Sequence, residues 1–501
     1  MVTRLLGNRY VLALLVIVAL AAIFGLASVS RPGAVAVSPH TSAPAQATVS
    51  TAIRACPAPG SAGATASSVA LVAAASGDGR AEVAPLSPGG STTQPAPLRV
   101  LTQPGQMALV SVPTAPAVSP AVTKGASNAP TGSTVPTVPA RGGVIVQATG
   151  SMARAFEAEQ ANPGGLATAQ CLAPGTDFWF VGPGQRSASD IQLYLMNTDG
   201  QPADATVQMI TDSGPVLGST DAGITVPAYG QVVQSLASVL NGSHVIALNV
   251  TTSVGRVVAA VLETSGDGQG AWLPTSQPPA KSQVLPGLPG TPGGGELYLA
   301  VPGANNAQVT VTAYTARGTY VPTGGSGITV PSGSALSFPL TSLAGIPAAI
   351  RVSSNAPVTV SMSVTGGAPG APGAFTAATG PLVEQGVVAG NPGSFGGSSA
   401  VVLSAPGAAA TVRVTELVSG GQPSPAPQEV QIAAGHTVVA ALPARGSPFA
   451  VVVTPLPGSG PVYAGRVVTQ NGVARSILPM TSALNSVPLP AVSSSLTAAL
   501  P

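Results

Sequence analysis

Charged and aromatic side chains are scarce in this sequence. Its 501 residues include 18 Lys plus Arg and 16 Asp plus Glu, for a net charge of +2, and only 3% of the residues are aromatic. Because the basic residues form no patch, nucleic acid is not an expected partner. With so few acids and bases and only three histidines, no catalytic or metal-binding cluster is visible. We therefore predict a protein that is not an enzyme and has no cofactor.

Glycine and proline are abundant instead. The 61 Gly and 51 Pro residues argue against a coiled coil or helical bundle, since Gly costs about 1 and Pro about 3 kcal/mol inside a helix. Disorder throughout is also disfavoured, because 45% of the residues are hydrophobic and the mean hydropathy is +0.42. The apolar residues are mainly Val, Ala and Leu, which suits thin β-layers. The composition predicts a mainly β protein.

The first thirty residues contain the longest apolar run. Residues 11–30 carry no charge, and a helix of that length spans roughly 30 Å, the thickness of the hydrocarbon layer. Arg4 and Arg9 precede the run, and basic residues keep their side of a segment in the cytoplasm. We predict a cytoplasmic segment 1–10, a transmembrane anchor 11–30 in the plasma membrane and an extracytoplasmic remainder. The alternative is a cleaved signal peptide followed by secretion.

The sequence has two cysteines, Cys56 and Cys171, and both follow that apolar run. An even count in an oxidising compartment indicates one disulfide. Cys56 opens the segment CPAPG and Cys171 opens CLAPG, so a disulfide would join corresponding points of two repeats. Two free buried thiols are the alternative.

A segment of two apolar strands recurs about every hundred residues. The copies begin at residues 142, 244, 348 and 449, and the last three are the clearest: His244–Thr264, Ala348–Thr365 and Phe449–Thr469. Upstream of this predicted hairpin lie the markers Ile224–Pro227 and Ile328–Pro331. Each repeat offers about six or seven short strands between turn signals, the pattern of an immunoglobulin-like β-sandwich. A propeller is less favoured, because its blades take only about 40 to 50 residues each.

These signals predict one transmembrane helix followed by about four tandem β-sandwich units. The predicted units are 52–169, 170–284, 285–384 and 385–480, between a disordered linker 31–51 and a C-terminal tail 481–501. Residues 113–140, rich in Pro, Thr and Ser, are predicted as a disordered insertion in the first unit.

Trp179 and Trp272, the only tryptophans, are the candidate binding residues. Exposed, they could stack on sugar rings of a cell-wall glycan; the alternative is that Phe178 and Phe180 point inward and Trp179 lies at a junction between units. Glu157 and Glu159 would share one face of a strand, but without a visible partner acid or base a glycosidase pair is not favoured.

Several weaker motifs have simple structural interpretations. The segment Gly266–Ala271 matches a permissive dinucleotide pattern but is interpreted as a turn, because Trp272-Leu273-Pro274 cannot open the required helix. His244 and His436 are expected on the surface. Asn241 and Asn249 begin glycosylation sequons.

Arg greatly outnumbers Lys, and with the apolar N-terminal run, the CPAPG and CLAPG segments and the repeated ITVP markers the chain resembles an uncharacterised family of N-terminally anchored, secreted actinobacterial proteins. The resemblance extends from Arg4 to Pro479 and implies a cell-envelope location but no activity. We therefore expect a membrane-tethered, non-catalytic scaffold or interaction module whose partners are envelope proteins. Glycan binding is the first alternative, and an envelope hydrolase without a visible site is the second.

Overall fold

The computed structural model describes most of the chain in two bodies. The described residues are 9–29, 46–58, 66–113, 142–161, 168–216, 223–265, 270–290, 292, 294–364, 374–391, 397–419, 423–443, 446–470 and 473–489. One body comprises Met1–Ala47 and Pro488–Pro501, and the other comprises Thr48–Val487. Most of the predicted linker, of the predicted insertion, of segment 1–10 and of the tail lies outside the described residues.

Helix α1, Arg9–Val29, lies in the first body. Within the described part of the chain, no helix has both the length and the apolar character needed to cross a membrane. The predicted transmembrane helix at 11–30 was therefore wrong.

The second body is built almost entirely of antiparallel strands, which fall into four structural repeats. Strand β1 is Gln46–Thr48, and repeat 1 follows it with β2 Thr51–Cys56, β3 Ala66–Ala73, β4 Gly79–Pro85, β5 Arg99–Leu101, β6 Met107–Pro113, β7 Val144–Gly150, β8 Phe156–Ala161 and β9 Thr168–Gln170. Repeat 2 consists of β10 Asp177–Pro183, β11 Asp190–Met196, β12 Ala203–Thr211, β13 Gly214–Pro215, β14 Ile224–Val226, β15 Gln231–Ser235, β16 Val245–Val254, β17 Val258–Thr264 and β18 Gly270–Leu273.

Repeats 3 and 4 continue the series. Repeat 3 consists of β19 Ala280–Leu288, β20 Gly295–Val301, β21 Ala307–Thr315, β22 Gly318–Tyr320, β23 Ile328–Val330, β24 Ser334–Pro339, β25 Ala348–Val364 and β26 Ala374–Ala377. Repeat 4 consists of β27 Gly386–Asn391, β28 Ser398–Ala405, β29 Ala410–Val418, β30 Gln428–Ile432, β31 His436–Leu442, β32 Phe449–Pro455, β33 Tyr463–Gln470 and β34 Val473–Pro479, and β35 Ser486–Pro488 follows. Two single-turn 3-10 helices, Ser151–Ala153 and Thr341–Leu343, lie between strands.

Repeats 1, 2 and 4 each form two sheets with the same strand order. In repeat 1 the first sheet runs β2-β7-β4-β5 and the second runs β6-β3-β8-β9. Repeat 4 reproduces this order as β27-β32-β29-β30 and β31-β28-β33-β34, and repeat 2 does so with β14 added to its first sheet. In the immunoglobulin fold the first two strands are neighbours, whereas here the first strand pairs with the sixth and the second with the seventh. The prediction of immunoglobulin-like sandwiches is corrected on this point.

The recurring pair of apolar strands does not form the predicted hairpin. In repeat 2, β16 pairs with β10 and β12 in one sheet, while β17 pairs with β11 and β18 in the other. In repeat 3 the two strands are fused into the 17-residue β25, whose first half pairs with β21 and whose second half pairs with β20. The two sheets of repeat 3 are therefore joined into one eight-stranded sheet. The recurring segment crosses between layers, which a local hydrophobic pattern cannot distinguish from a hairpin.

The sheets of successive repeats pack against one another. One apolar cluster joins strands of repeats 1 and 2, a second joins repeats 2 and 3, and a third joins repeats 3 and 4. A fourth cluster, of small apolar side chains, joins the first sheet of repeat 4 to the second sheet of repeat 1. The contacts thus close on themselves, as between the blades of a β-propeller. The sequence argued against a propeller because a repeat of about one hundred residues is too long for a single blade. In the structure each repeat supplies two four-stranded layers, and its strands are divided between them.

Candidate functional site

Both tryptophans are buried. Trp179 is 8% exposed and Trp272 is 9% exposed, so neither ring is available as a platform for sugars. Trp272 packs edge-on against Tyr194, with ring centroids 5.2 Å apart, in the cluster that joins repeats 1 and 2. The main chain of Trp179 forms an isolated bridge with Ser276, so this tryptophan lies next to the chain that leads into repeat 3.

Cys56 and Cys171 form the predicted disulfide, and both are fully buried in the core of repeat 1. The neighbouring residues Ala55 and Leu172 form a backbone bridge, and an equivalent bridge, Gly386 with Ser482, occurs in repeat 4. In each case the segment after the eighth strand returns to the first strand of its repeat. The disulfide therefore adds a covalent bond at a position where the repeat already closes.

The remaining motifs lie apart from one another. His244 contacts the Arg186 guanidinium, and His436 contacts the Ala434 carbonyl. The Asn249 side chain is buried and donates a hydrogen bond to Asp177, whereas Asn241 is exposed. The described residues contain no group of three or more His, Cys, Asp or Glu side chains that could hold a metal ion.

Two other predictions fall largely on positions without described side chains. The middle of the Gly266–Ala271 motif, residues 266–269, lies outside the described residues. So does Arg4, and Arg9 lies in α1 without a described side chain.

Glu157 and Glu159 share one face of β8, as the sequence predicts, and both are buried. Glu157 forms an ion pair with Arg54 of β2, with Arg54 Nη2 donating to Glu157 Oε1 at 3.0 Å. Glu159 faces Arg466 of β33, whose Nη2 lies 3.4 Å from Glu159 Oε2. Each carboxylate thus forms an ion pair with its own guanidinium. Both pairs are structural, and neither Glu residue faces a cleft.

The surroundings of Glu159 come mainly from repeat 4. The register of β27 shifts between Val388 and Asn391, and the bulge turns main-chain N–H groups toward the carboxylate. The Ala389 N–H donates to Glu159 Oε1 at 2.7 Å, and the Gly390 N–H also acts on this carboxylate. A side chain at position 390 would press on Ala70 and Glu159, since a Cβ there would lie 3.2 and 3.3 Å from their atoms. Glycine therefore allows β27 to approach the carboxylate closely.

Burial controls the ionisation of this pair. Burial raises the pKa of Glu159 from an ordinary 4.5 to about 7, and this effect exceeds the opposing effects of Arg466 and of the main-chain N–H groups. Burial likewise lowers the pKa of Arg466, which has no exposed surface. Both shifts have the same cause, because removing a charge from water disfavours its charged form.

Repeat 1 has an exposed groove between its two sheets. Strand β5 is the last strand of the first sheet and β6 is the first strand of the second, so among the described residues each has one edge without a partner strand. The groove between them has a volume of about 910 Å³. Val100 and Leu109 in its wall are 46% and 50% exposed, and Arg99 is its only charged lining residue. Below, this space is called the edge groove.

Our sequence-based predictions included neither Arg466 nor the edge groove. Arg466 lies in the apolar run Phe449–Thr469 and becomes significant only because the fold brings it to Glu159, 307 residues away. Val100 and Leu109 look like ordinary core residues of short strands, and their exposure depends on which strand stands at the edge. A charged residue inside an apolar strand was the one available signal for Arg466.

Comparisons with known proteins identify a family but no activity. The profile of a family of unknown function, DUF5719, matches residues 122–443, more than half of the chain. No curated protein matches the sequence significantly. Two solved structures are weakly similar: an anti-sigma factor domain-containing protein from Clostridium clariflavum (11% identity, TM-score 0.12, 67% of this chain and 85% of that one) and an alpha-L-rhamnosidase from Streptomyces avermitilis crystallised with L-rhamnose (10% identity, TM-score 0.13, 85% and 55%). Similarity at this level carries no argument about function.

Proposed function

Because the chain belongs to the DUF5719 family, whose function is unknown, we propose its role from the edge groove. The protein is a non-catalytic interaction module that binds an extended segment of a partner protein in this groove. The observation that carries the proposal is that β5 and β6 each have an edge without a described partner strand and also carry exposed apolar side chains. The location is outside the reducing cytoplasm, because a structural disulfide persists in oxidising compartments.

The chemistry of the edge groove favours a strand-forming ligand. An unpaired strand edge offers main-chain N–H and C=O groups to an added strand, and flanking apolar side chains accept every second side chain of that strand. Arg99, the only charged lining residue, adds a preference for an acidic residue in the ligand. We therefore expect a ligand of alternating apolar residues with one Asp or Glu.

Two buried tryptophans and two internally paired carboxylates weigh against the other candidates. Glycan binding would need another exposed aromatic surface, and a hydrolase would need acids that face a cleft. The two tryptophans do not supply that surface, and Glu157 and Glu159 are paired inside the fold.

The test compares two matched valines. Val100 of β5 and Val439 of β31 are 46% and 44% exposed, and both stand on strands at the edge of a sheet, but only Val100 lines the edge groove. Twelve-residue peptides are selected from a random library on the full chain, and their affinity is measured by fluorescence anisotropy. Val100→Asp should weaken binding at least tenfold, because the ligand would bury an unpaired carboxylate. Val439→Asp should change it less than twofold.

Either of two results would contradict the proposal. The selection could return no peptide of alternating apolar pattern, or Val100→Asp and Val439→Asp could weaken binding equally.

A further inference from the structure

The junction between repeats 4 and 1 differs from the other three. Repeats 1 and 2, 2 and 3, and 3 and 4 are consecutive in the chain, whereas repeats 4 and 1 are brought together only by folding. Their apolar contact consists of small side chains, contributed by Ala70, Val72, Met107 and Ala155 of repeat 1 and by Val387, Ala389, Ala450, Val452 and Ala483 of repeat 4 and the residues after it. Small side chains bury little apolar area, so polar contacts carry an unusual share of this junction.

The polar contacts at this junction centre on one carboxylate. Glu159 of repeat 1 accepts hydrogen bonds from the β27 bulge and from Arg466. Arg466 Nη2 also donates to Thr168 Oγ1 at 2.9 Å, and the Thr168 hydroxyl lies 2.8 Å from Ser476 Oγ. Glu159 and Thr168 belong to repeat 1, while Arg466 and Ser476 belong to repeat 4. The network therefore exists only while the two repeats are in contact.

We propose that the junction between repeats 4 and 1 is a proton-linked clasp, which closes when the Glu159 carboxyl takes up a proton and loosens when that proton is released. The carboxyl sits wholly inside the contact, so closing the junction removes it from water. Loosening the junction returns it to water.

The neighbouring groups account for the direction of the effect. They are Arg466 from β33, Thr168 from β9, Ser476 from β34, the Ala389 and Gly390 N–H groups from β27, Glu157 from β8, and Arg54 from β2, which holds Glu157. Burial outweighs the one facing cation and the N–H donors, so the pKa of Glu159 is about 7 in the closed junction, against 4.5 for the carboxyl in water. A proton is thus bound more tightly when the junction is closed, and acid favours closing.

Closing should weaken as the pH rises from 4.5 to about 7, by up to about 300-fold in the closing equilibrium. Below this range the carboxyl is protonated whether the junction is open or closed. Above it, the carboxyl is ionised in both states, and the closing equilibrium no longer depends on pH.

The experiment measures a distance across the junction in the full chain. Gln103 of repeat 1 and Ser419 of repeat 4 both line the edge groove, so cysteines at these positions place two spin labels on opposite sides of the junction. Cys56 and Cys171 remain oxidised and take no label. Double electron–electron resonance should give one short distance between the two labels at pH 5, and at pH 8 an additional population of longer distances.

Two variants test whether Glu159 is the group that binds the proton. Glu159→Gln mimics the protonated carboxyl and should give the short distance at both pH values. Glu157→Gln removes the other buried carboxylate of β8, which is paired within repeat 1. Its charge is the smallest of the influences on the pKa of Glu159 and raises it, so this variant should still respond to pH, with a midpoint slightly lower than that of the unsubstituted chain.

The proposal is overturned if the unsubstituted chain shows one distance distribution at both pH values, or if Glu159→Gln shifts with pH as that chain does. Should Glu159→Gln fail to fold, the unsubstituted chain still decides, because its transition must have a midpoint between pH 4.5 and about 7. A midpoint outside this range contradicts the assignment to Glu159.

Discussion

At the scale of single residues, the buried charges of β8 are held in ion pairs. Its two buried carboxylates on β8 each have a guanidinium partner, Arg54 for Glu157 and Arg466 for Glu159. Removing one partner of a buried ion pair leaves an uncompensated charge, which is more costly than replacing both partners. The sequence predicted the shared face of Glu157 and Glu159 from the two-residue period of a strand. It could not predict their partners, because these come from distant strands.

The pH dependence of stability tests Glu159 directly. A raised pKa means that the carboxyl contributes most to folding stability below about pH 4.5 and that this contribution is lost as the pH rises through about 7. Glu159→Gln leaves Arg466 without its carboxylate, a cost that does not vary with pH. Because the amide does not ionise, the free energy of unfolding of this variant should rise relative to that of the unsubstituted chain as the pH goes from 5 to 8. The change should be on the order of 3 kcal/mol, measured by urea unfolding at the two pH values. A difference that stays constant with pH would refute the raised pKa.

Strands were predicted better than their pairing. The alternation in segments such as β21 and β29 is seen in the structure, with alternate side chains buried along each strand. The repeat spacing was also found, because equivalent strands such as β16 and β32 lie in equivalent places. Pairing could not be derived, since a hairpin and a layer crossing share one hydrophobic pattern. The transmembrane helix predicted at 11–30 was also wrong, since no helix in the described part of the chain meets the length and apolarity that a membrane span needs.

Strands β19 and β33 approach so closely that glycine is required between them. A Cβ added to Gly465 would lie 2.5 Å from Gly287 Cα, whereas a Cβ added to Gly407 would meet nothing within 4 Å. Gly465→Ala should lower the free energy of unfolding by about 1 to 3 kcal/mol, because the main chains must move apart. Gly407→Ala is the control and should change it by less than about 0.5 kcal/mol. Equal effects in urea unfolding would show that the approach is not this tight.

At the scale of the whole molecule, the closed series of contacts is the feature furthest from the sequence. Each repeat looks like a separate sandwich when its strands are counted, yet the apolar clusters run across repeats and residues Thr48–Val487 form one compact body. Local patterns show which face of a strand is apolar but not which sheet covers it. The edge groove follows from the same arrangement, because packing buries the sheet faces and leaves the edges of β5 and β6 open.

The most direct test of the proposed function is hydrogen–deuterium exchange with and without a selected peptide. An added strand protects the main-chain N–H groups of the edge it pairs with, so exchange should slow at least tenfold in residues 99–101 or 107–113. The equivalent edge strand β31 of repeat 4, which does not line the edge groove, should exchange at an unchanged rate. Protection confined to other strands, with β5 and β6 unaffected by saturating peptide, would contradict the account.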